Sequence, residues 1–145
     1  MTAPVGETFF GRRIPFIDLL GARAEGREKG RAVVSLQVRE ELMNSWRFAH
    51  GGVLVALLDV CMGSAAVTVD PEARGVVTAG LSVSFFRSAA GLLRAEGTVL
   101  RGGRSLVHCE GEVRDADGEL VAKALGTFRL KRKSEKANDP QPTRP

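Results

Sequence analysis

The residues that could do chemistry are concentrated in Asn44–Thr68, NSWRFAHGGVLVALLDVCMGSAAVT. One carboxylate, Asp59, stands inside this apolar run. An ionised carboxylate in such surroundings is costly unless it is paired, protonated or in use. Upstream lies His50-Gly51-Gly52, where a helix would begin. The first amides of a helix have no internal partner and sit at the positive end of its dipole. Two glycines there leave the backbone open to close approach. Such a start suits a negative charge or a polarised carbonyl.

Spacing constrains how these groups can cooperate. Gly52 and Asp59 are seven residues apart, so they share a helix face but lie roughly 10.5 Å apart along the axis. A carbonyl held at about 3 Å from the Gly52 amide is out of reach of that same helix's Asp59. If both serve one reaction, they come from two chains with antiparallel helices. The expectation is a dimer with its sites at the interface.

The elements around this run set its place. Thr8–Leu20 mixes Phe9, Phe10, Ile14, Phe16, Ile17, Leu19 and Leu20 with Pro15, which suggests a short helix or turn packed on something larger. Arg23–Lys29 reads as a strand with Gly30 as its turn. Arg31–Val38 alternates with period two, placing Ala32, Val34, Leu36 and Val38 on one face. A polar and aromatic loop, 39–49, leads into the apolar run Val53–Val69. Strands follow at Val76–Phe86, Leu92–Leu100, Ser105–Arg114 and Glu119–Leu130. In the first of them Val77, Ala79, Leu81, Val83 and Phe85 share a side. Asp115-Ala116-Asp117-Gly118 is a hairpin turn. The order β-β-helix-β-β-β-β is α+β with a mainly antiparallel sheet, and the one long apolar helix must cover a face of it. Residues 1–133 form one domain, and 134–145, rich in proline and poor in apolar residues, read as a disordered tail.

Composition excludes several classes. Val53–Val69 is at the lower limit of a membrane span, and its central Asp costs about 2.5–3.5 kcal/mol on insertion; the flanking strands favour a soluble core, with no membrane. The net charge of +4 resides wholly in Arg129, Lys131, Arg132 and Lys133, and the other charges cancel. A nucleic-acid binder spreads basic residues over a folded face, so none is expected as a partner. Cys61 and Cys109 form no CxxC pair, and His50 and His108 are far apart, so no metal site and no cofactor is expected. Two isolated cysteines and the lack of an N-terminal apolar stretch suit a reduced, cytoplasmic setting.

Asn44-x5-His50-Gly51-Gly52-x6-Asp59 resembles the signature of the PaaI-type hotdog-fold acyl-CoA thioesterases. The strand VVTAGLSVSFFRSA at 76–89, the glycine-arginine turn and the final strand pair are similar too, so the resemblance covers about residues 14–132. It implies a hotdog fold, with an antiparallel sheet wrapped around the central helix. It also implies hydrolysis of an aromatic or short- to medium-chain acyl-CoA to free acid and CoA, in a homodimer that pairs into a dimer of dimers. Asp59 would be the catalytic carboxylate, as base or nucleophile. The Gly52 amide, with Gly51, would polarise the carbonyl. Asn44 would orient water or thioester, and His50 would fix the loop. Thr78 matches a position that can carry a hydroxyl near the water. Arg87, Arg104 and Ser105 match positions that contact the nucleotide end of coenzyme A. The acyl group would lie among residues such as Leu54, Leu58 and Phe86. Members of the family commonly carry a glycine between the Asn and the His, where this chain has Trp46, Arg47 and Phe48.

Two other functions fit the same order of elements. One is a hotdog-fold hydratase or dehydratase, which pairs a His with an acid differently along the helix. The other is a module that binds acyl-CoA without turning it over.

Overall fold

The computed structural model describes residues 9–132. The lead-in at 1–8 and the tail at 134–145 lie outside the described residues. The chain runs α1 (Pro15–Leu20), β1 (Arg23–Glu28), β2 (Arg31–Gln37), α2 (Gly51–Ala66), β3 (Ala73–Phe85), β4 (Leu92–Gly102), β5 (Leu106–Arg114) and β6 (Leu120–Arg132). Single 3-10 turns occupy Glu40–Leu42 and Val67–Val69. Pro15 opens α1 rather than breaking it, as its missing N–H allows at a first helical position.

All six strands form one antiparallel sheet in the order β1-β2-β4-β5-β6-β3. The long helix α2 packs across it, so the architecture is the one the family resemblance implies. The stretch Gly51–Val69 is long and apolar enough to cross a membrane by composition, yet it is the core helix of this sheet, with Leu57, Leu58, Cys61, Met62, Ala65 and Ala66 fully buried.

Three strand glycines let the helix sink into the sheet. A Cβ on Gly97 would stand 2.7 Å from the Cys61 carbonyl oxygen, one on Gly111 2.9 Å from Met62 Cγ, and one on Gly126 3.0 Å from Met62 Cε. Gly97 pairs directly with Gly111 across β4 and β5. At Gly97 the helix backbone occupies the space of a side chain, and at Gly111 and Gly126 the Met62 side chain does, with Phe128 beside it at Gly126.

The alternation in β6 holds, with Ala122, Ala124, Gly126, Phe128 and Leu130 buried. In β3 it does not. A bulge between Thr78 and Gly80 inserts Ala79 as an extra residue. Thr78 therefore pairs with Phe128, and Leu81 with Gly126, both partners lying on the helix side of β6. The inward set of β3 becomes Val76, Thr78, Leu81 and Val83. Val77, expected to share a side with Leu81, is half exposed instead.

Candidate active site

The helix places its functional groups by its own period. Leu54, Leu57, Leu58, Cys61, Met62 and Ala65 face the sheet and are buried. The opposite stripe, Gly52, Val55, Ala56, Asp59, Val60, Gly63, Ser64 and Val67, lines a cavity of about 460 Å³. Its other walls come from β3 (Gly75, Val76, Thr78, Leu81), from Phe128, from Arg27, and from Phe9 to Ile17. Asp59 is half-buried and is the one carboxylate among the lining residues.

Asp59 has one hydrogen bond. Thr78 Oγ1 donates to its Oδ1 at 2.7 Å. Oδ2 has no partner among the described residues. The carboxylate is thus held by one oxygen and left open at the other, on the wall of a cavity large enough for a substrate group. Simple alternation turned Thr78 away from this place; the bulge turns it back.

The helix start is built by His50. Its Nδ1 accepts the Gly52 N–H at 2.9 Å, while its carbonyl accepts from Val53 at 2.9 Å. His50 is therefore the N-cap, and the acceptor role of Nδ1 puts the ring proton of the neutral form on Nε2. The structure differs from expectation at Gly52, whose amide is engaged by this cap. The Gly51 N–H is the helix-start donor with no acceptor among the described residues.

Asn44 shapes the loop before the helix. Its Oδ1 accepts the N–H groups of Trp46 at 2.9 Å and Phe48 at 3.1 Å, and its backbone pairs with Phe48 and Arg47. It does not line the cavity with Asp59. Arg47 takes φ +66, a left-handed conformation rare outside glycine. A glycine would take this conformation without that strain. Trp46 is 80% exposed.

The remaining expected residues are spread apart. Arg87 follows β3 and pairs with Glu119 at 3.6 Å and Asp115 at 3.9 Å. It lies at the helix-start end, where the Phe85 ring is 3.7 Å from a Cβ built on Gly51. Arg104 and Ser105 occupy the β4–β5 turn at the opposite end, just after Gly102, where a Cβ would meet Val69 at 3.6 Å. They are exposed, and their carbonyls accept from the Arg132 guanidinium and the Leu130 N–H respectively. A helix as long as α2, about 24 Å, separates the two ends, so one chain does not bring them together. Leu54 and Leu58 are core residues rather than cavity wall, and Phe86 is 58% exposed. The cavity's aromatic wall is instead supplied by Phe9, Phe10, Phe16 and Phe128. The apolar and aromatic spacing of 9–17 signals packing on something larger, but it does not say on what.

Other nucleophiles are poorly placed. Cys61 and Cys109 are free and buried, and burial pushes both thiols up to about 12. Ser64 Oγ donates to the Val60 carbonyl, as a helix serine does.

The sequence profile of the thioesterase superfamily matches residues 47–122, the stretch from the helix start into β6. A Saccharolobus solfataricus protein with the provisional name of esterase is 35% identical over 87% of this chain and 90% of its own length. The 1,4-dihydroxy-2-naphthoyl-CoA hydrolase of Listeria monocytogenes is 28% identical over 80% of this chain and 95% of that protein. The PaaI protein of the Escherichia coli phenylacetic acid degradation operon superposes with a TM-score of 0.76 over 81% of this chain and 85% of that one, at 22% identity, and shares the fold. The chain belongs to the thioesterase superfamily and has the hotdog fold of its solved members.

Proposed function

We propose that the protein hydrolyses an acyl-CoA thioester to a free acid and coenzyme A, with Asp59 as the catalytic carboxylate. The observation that carries this reading is the Asp59–Thr78 pair on the wall of a largely apolar cavity. Thr78 fixes one carboxylate oxygen. The other takes a proton from water, or attacks the thioester carbon directly. As the carbonyl becomes tetrahedral, its oxygen gains negative charge and needs a donor placed in advance. The Gly51 N–H, backed by the helix dipole and aligned by the His50 cap, is that donor. Gly52 supports it by tightening the helix start.

The donor comes from a second subunit. Strand β3 is a 13-residue sheet edge, and Val77, Phe85 and Phe86 on or just after it are half exposed or more. Such an edge invites pairing. On β3, Thr78 marks the position of Asp59 and Phe85 the position of Gly51, seven residues further on. Antiparallel pairing of two β3 strands about a two-fold axis near Leu81 and Ser82 would set each Asp59 against the partner's helix start. The Asn44 loop leads into the same helix start, and Arg87 lies at that end too, so both would approach the site from the partner. The CoA nucleotide, on this reading, lies at the rim near Arg87 or near Arg104 and Ser105. The relative that hydrolyses an aromatic CoA thioester supports this substrate class. A cytoplasmic setting, where acyl-CoA and free thiols occur, goes with it.

The test is thiol release over a panel of aromatic and straight-chain acyl-CoAs. Turnover that falls by at least a thousandfold in Asp59→Ala supports hydrolysis at this carboxylate. Tight acyl-CoA binding without release of thiol would assign a non-catalytic binding module instead.

A further inference from the structure

The cavity has a second polar end that the hydrolysis does not use. Arg12 and Arg27 both line it. The Arg12 guanidinium lies flat on β3 at Gly75, where a Cβ would stand 2.7 and 2.9 Å from its two terminal nitrogens. Gly75 is glycine because the guanidinium takes that space, and it is buried beneath it. Arg27 stacks over the Phe10 ring at 5.0 Å, a contact that holds a guanidinium in place without neutralising it. Neither arginine has a carboxylate partner among the described residues, whereas most arginines on the sheet and loops do. Two such cations, both solvent-exposed on the wall of one largely apolar cavity, raise its potential and favour an anion between them.

Distance says which part of a substrate reaches there. Gly75 and Thr78 both line the cavity and are three residues apart in regular pairing, a rise of about 10 Å at ~3.3 Å per residue. The path between is apolar. It runs along Val60, Gly63, Val76 and Phe128, all of which line the cavity. A fully extended acyl chain advances about 1.3 Å per bond, so six to eight carbons span it, with a carboxylate hydrogen-bonding the guanidinium. The first phosphate of coenzyme A is roughly a dozen bonds from the sulfur, too far for this spacing in an extended arm.

We infer that Arg12 and Arg27 form an anion subsite for the distal end of the acyl group, which makes an ω-carboxyacyl thioester of about six to eight carbons the favoured substrate class. This rests on the thioesterase reading of the Asp59 site. The experiment compares adipoyl-CoA with hexanoyl-CoA, equal in length and different only in the terminal charge. The ratio of their kcat/KM values is measured for the wild type and for Arg12→Gln/Arg27→Gln. The expected result is a preference for adipoyl-CoA that falls at least tenfold in the double variant, and falls equally when both acyl groups are carried on pantetheine, which has no phosphate. An unchanged ratio overturns the inference. So does a loss shared by both CoA thioesters and absent from both pantetheine thioesters, which would assign the arginines to the coenzyme phosphates. Adipate binding to an Asp59→Asn protein, followed by calorimetry, reads the subsite without turnover. It must weaken at least tenfold in the arginine variant, and no binding by either protein also overturns the inference. If no thioester is cleaved while adipate still binds through the arginines, the hydrolytic reading fails and the subsite stands.

Discussion

At the scale of single residues, the site depends on what one hydroxyl does to one carboxylate. Thr78 holds Asp59 by Oδ1 and so aims Oδ2. Thr78→Val keeps the volume and removes the donor. A hydrogen bond to a charged group is worth about 1.5–3 kcal/mol, so kcat should fall roughly ten- to hundredfold, with KM changed less. Thr78→Ser should retain most of kcat, because the hydroxyl is retained; steady-state kinetics on both variants checks this. Asp59 was readable from sequence because an acid in an apolar helix is conspicuous. Thr78 was not, because its direction follows from a bulge against β6, and a bulge belongs to the pair of strands. Gly80 was its only local sign. His50 was readable as a loop-fixing residue, but its capture of the Gly52 amide needed the cap geometry. That capture moves the open donor to Gly51.

At the scale of elements, the site is positioned by how deeply α2 lies in the sheet. Gly97, Gly111 and Gly126 set that depth. Gly97→Ala would drive a Cβ against the Cys61 carbonyl at 2.7 Å, and helix backbone cannot swing aside as a side chain can. The expected cost is about 1–3 kcal/mol, seen as a lowered Tm, with kcat reduced because Asp59 rides on the displaced helix. A control, Gly118→Ala in the β5–β6 turn, meets nothing within 4 Å but carries φ +82, so its cost is local backbone strain without loss of kcat. The strands and the helix were legible because their periods are two and 3.6 and their turns carry glycine. The glycine contacts were not, since which glycine faces the helix depends on register.

At the scale of the whole molecule, the edge of the sheet, the N-terminal wall and the proposed second subunit decide what the cavity becomes. Asp70 ties the segment after α2 to the end of β6, since the Arg132 guanidinium approaches its Oδ2 at 2.7 Å. Its carboxyl is held below the usual value of 3.8, first by the Glu72 N–H and then by Arg132. A depressed folded-state value means the stabilisation is complete above 3.8 and is lost as pH falls through the folded value. The Tm gap between wild type and Asp70→Asn should therefore be constant at neutral pH and close progressively below 3.8. Family and fold were legible because the signature, the helix and the strand order lie on one continuous stretch. The cavity's wall was not, because residues 9–17 and Arg27 meet α2 only in three dimensions. The central claim joins Asp59 of one subunit to the helix start of its partner. Gly51→Pro tests it cleanly, since proline suits a first helical position and removes only the proposed donor; His50, at ψ 139, already has the backbone that precedes proline. Asp59→Ala and Gly51→Pro chains, each inactive alone, are co-expressed with different tags and purified as mixed dimers. One intact site per mixed dimer should restore about half of the wild-type rate of thiol release. Mixed dimers that form and release no thiol would contradict the account.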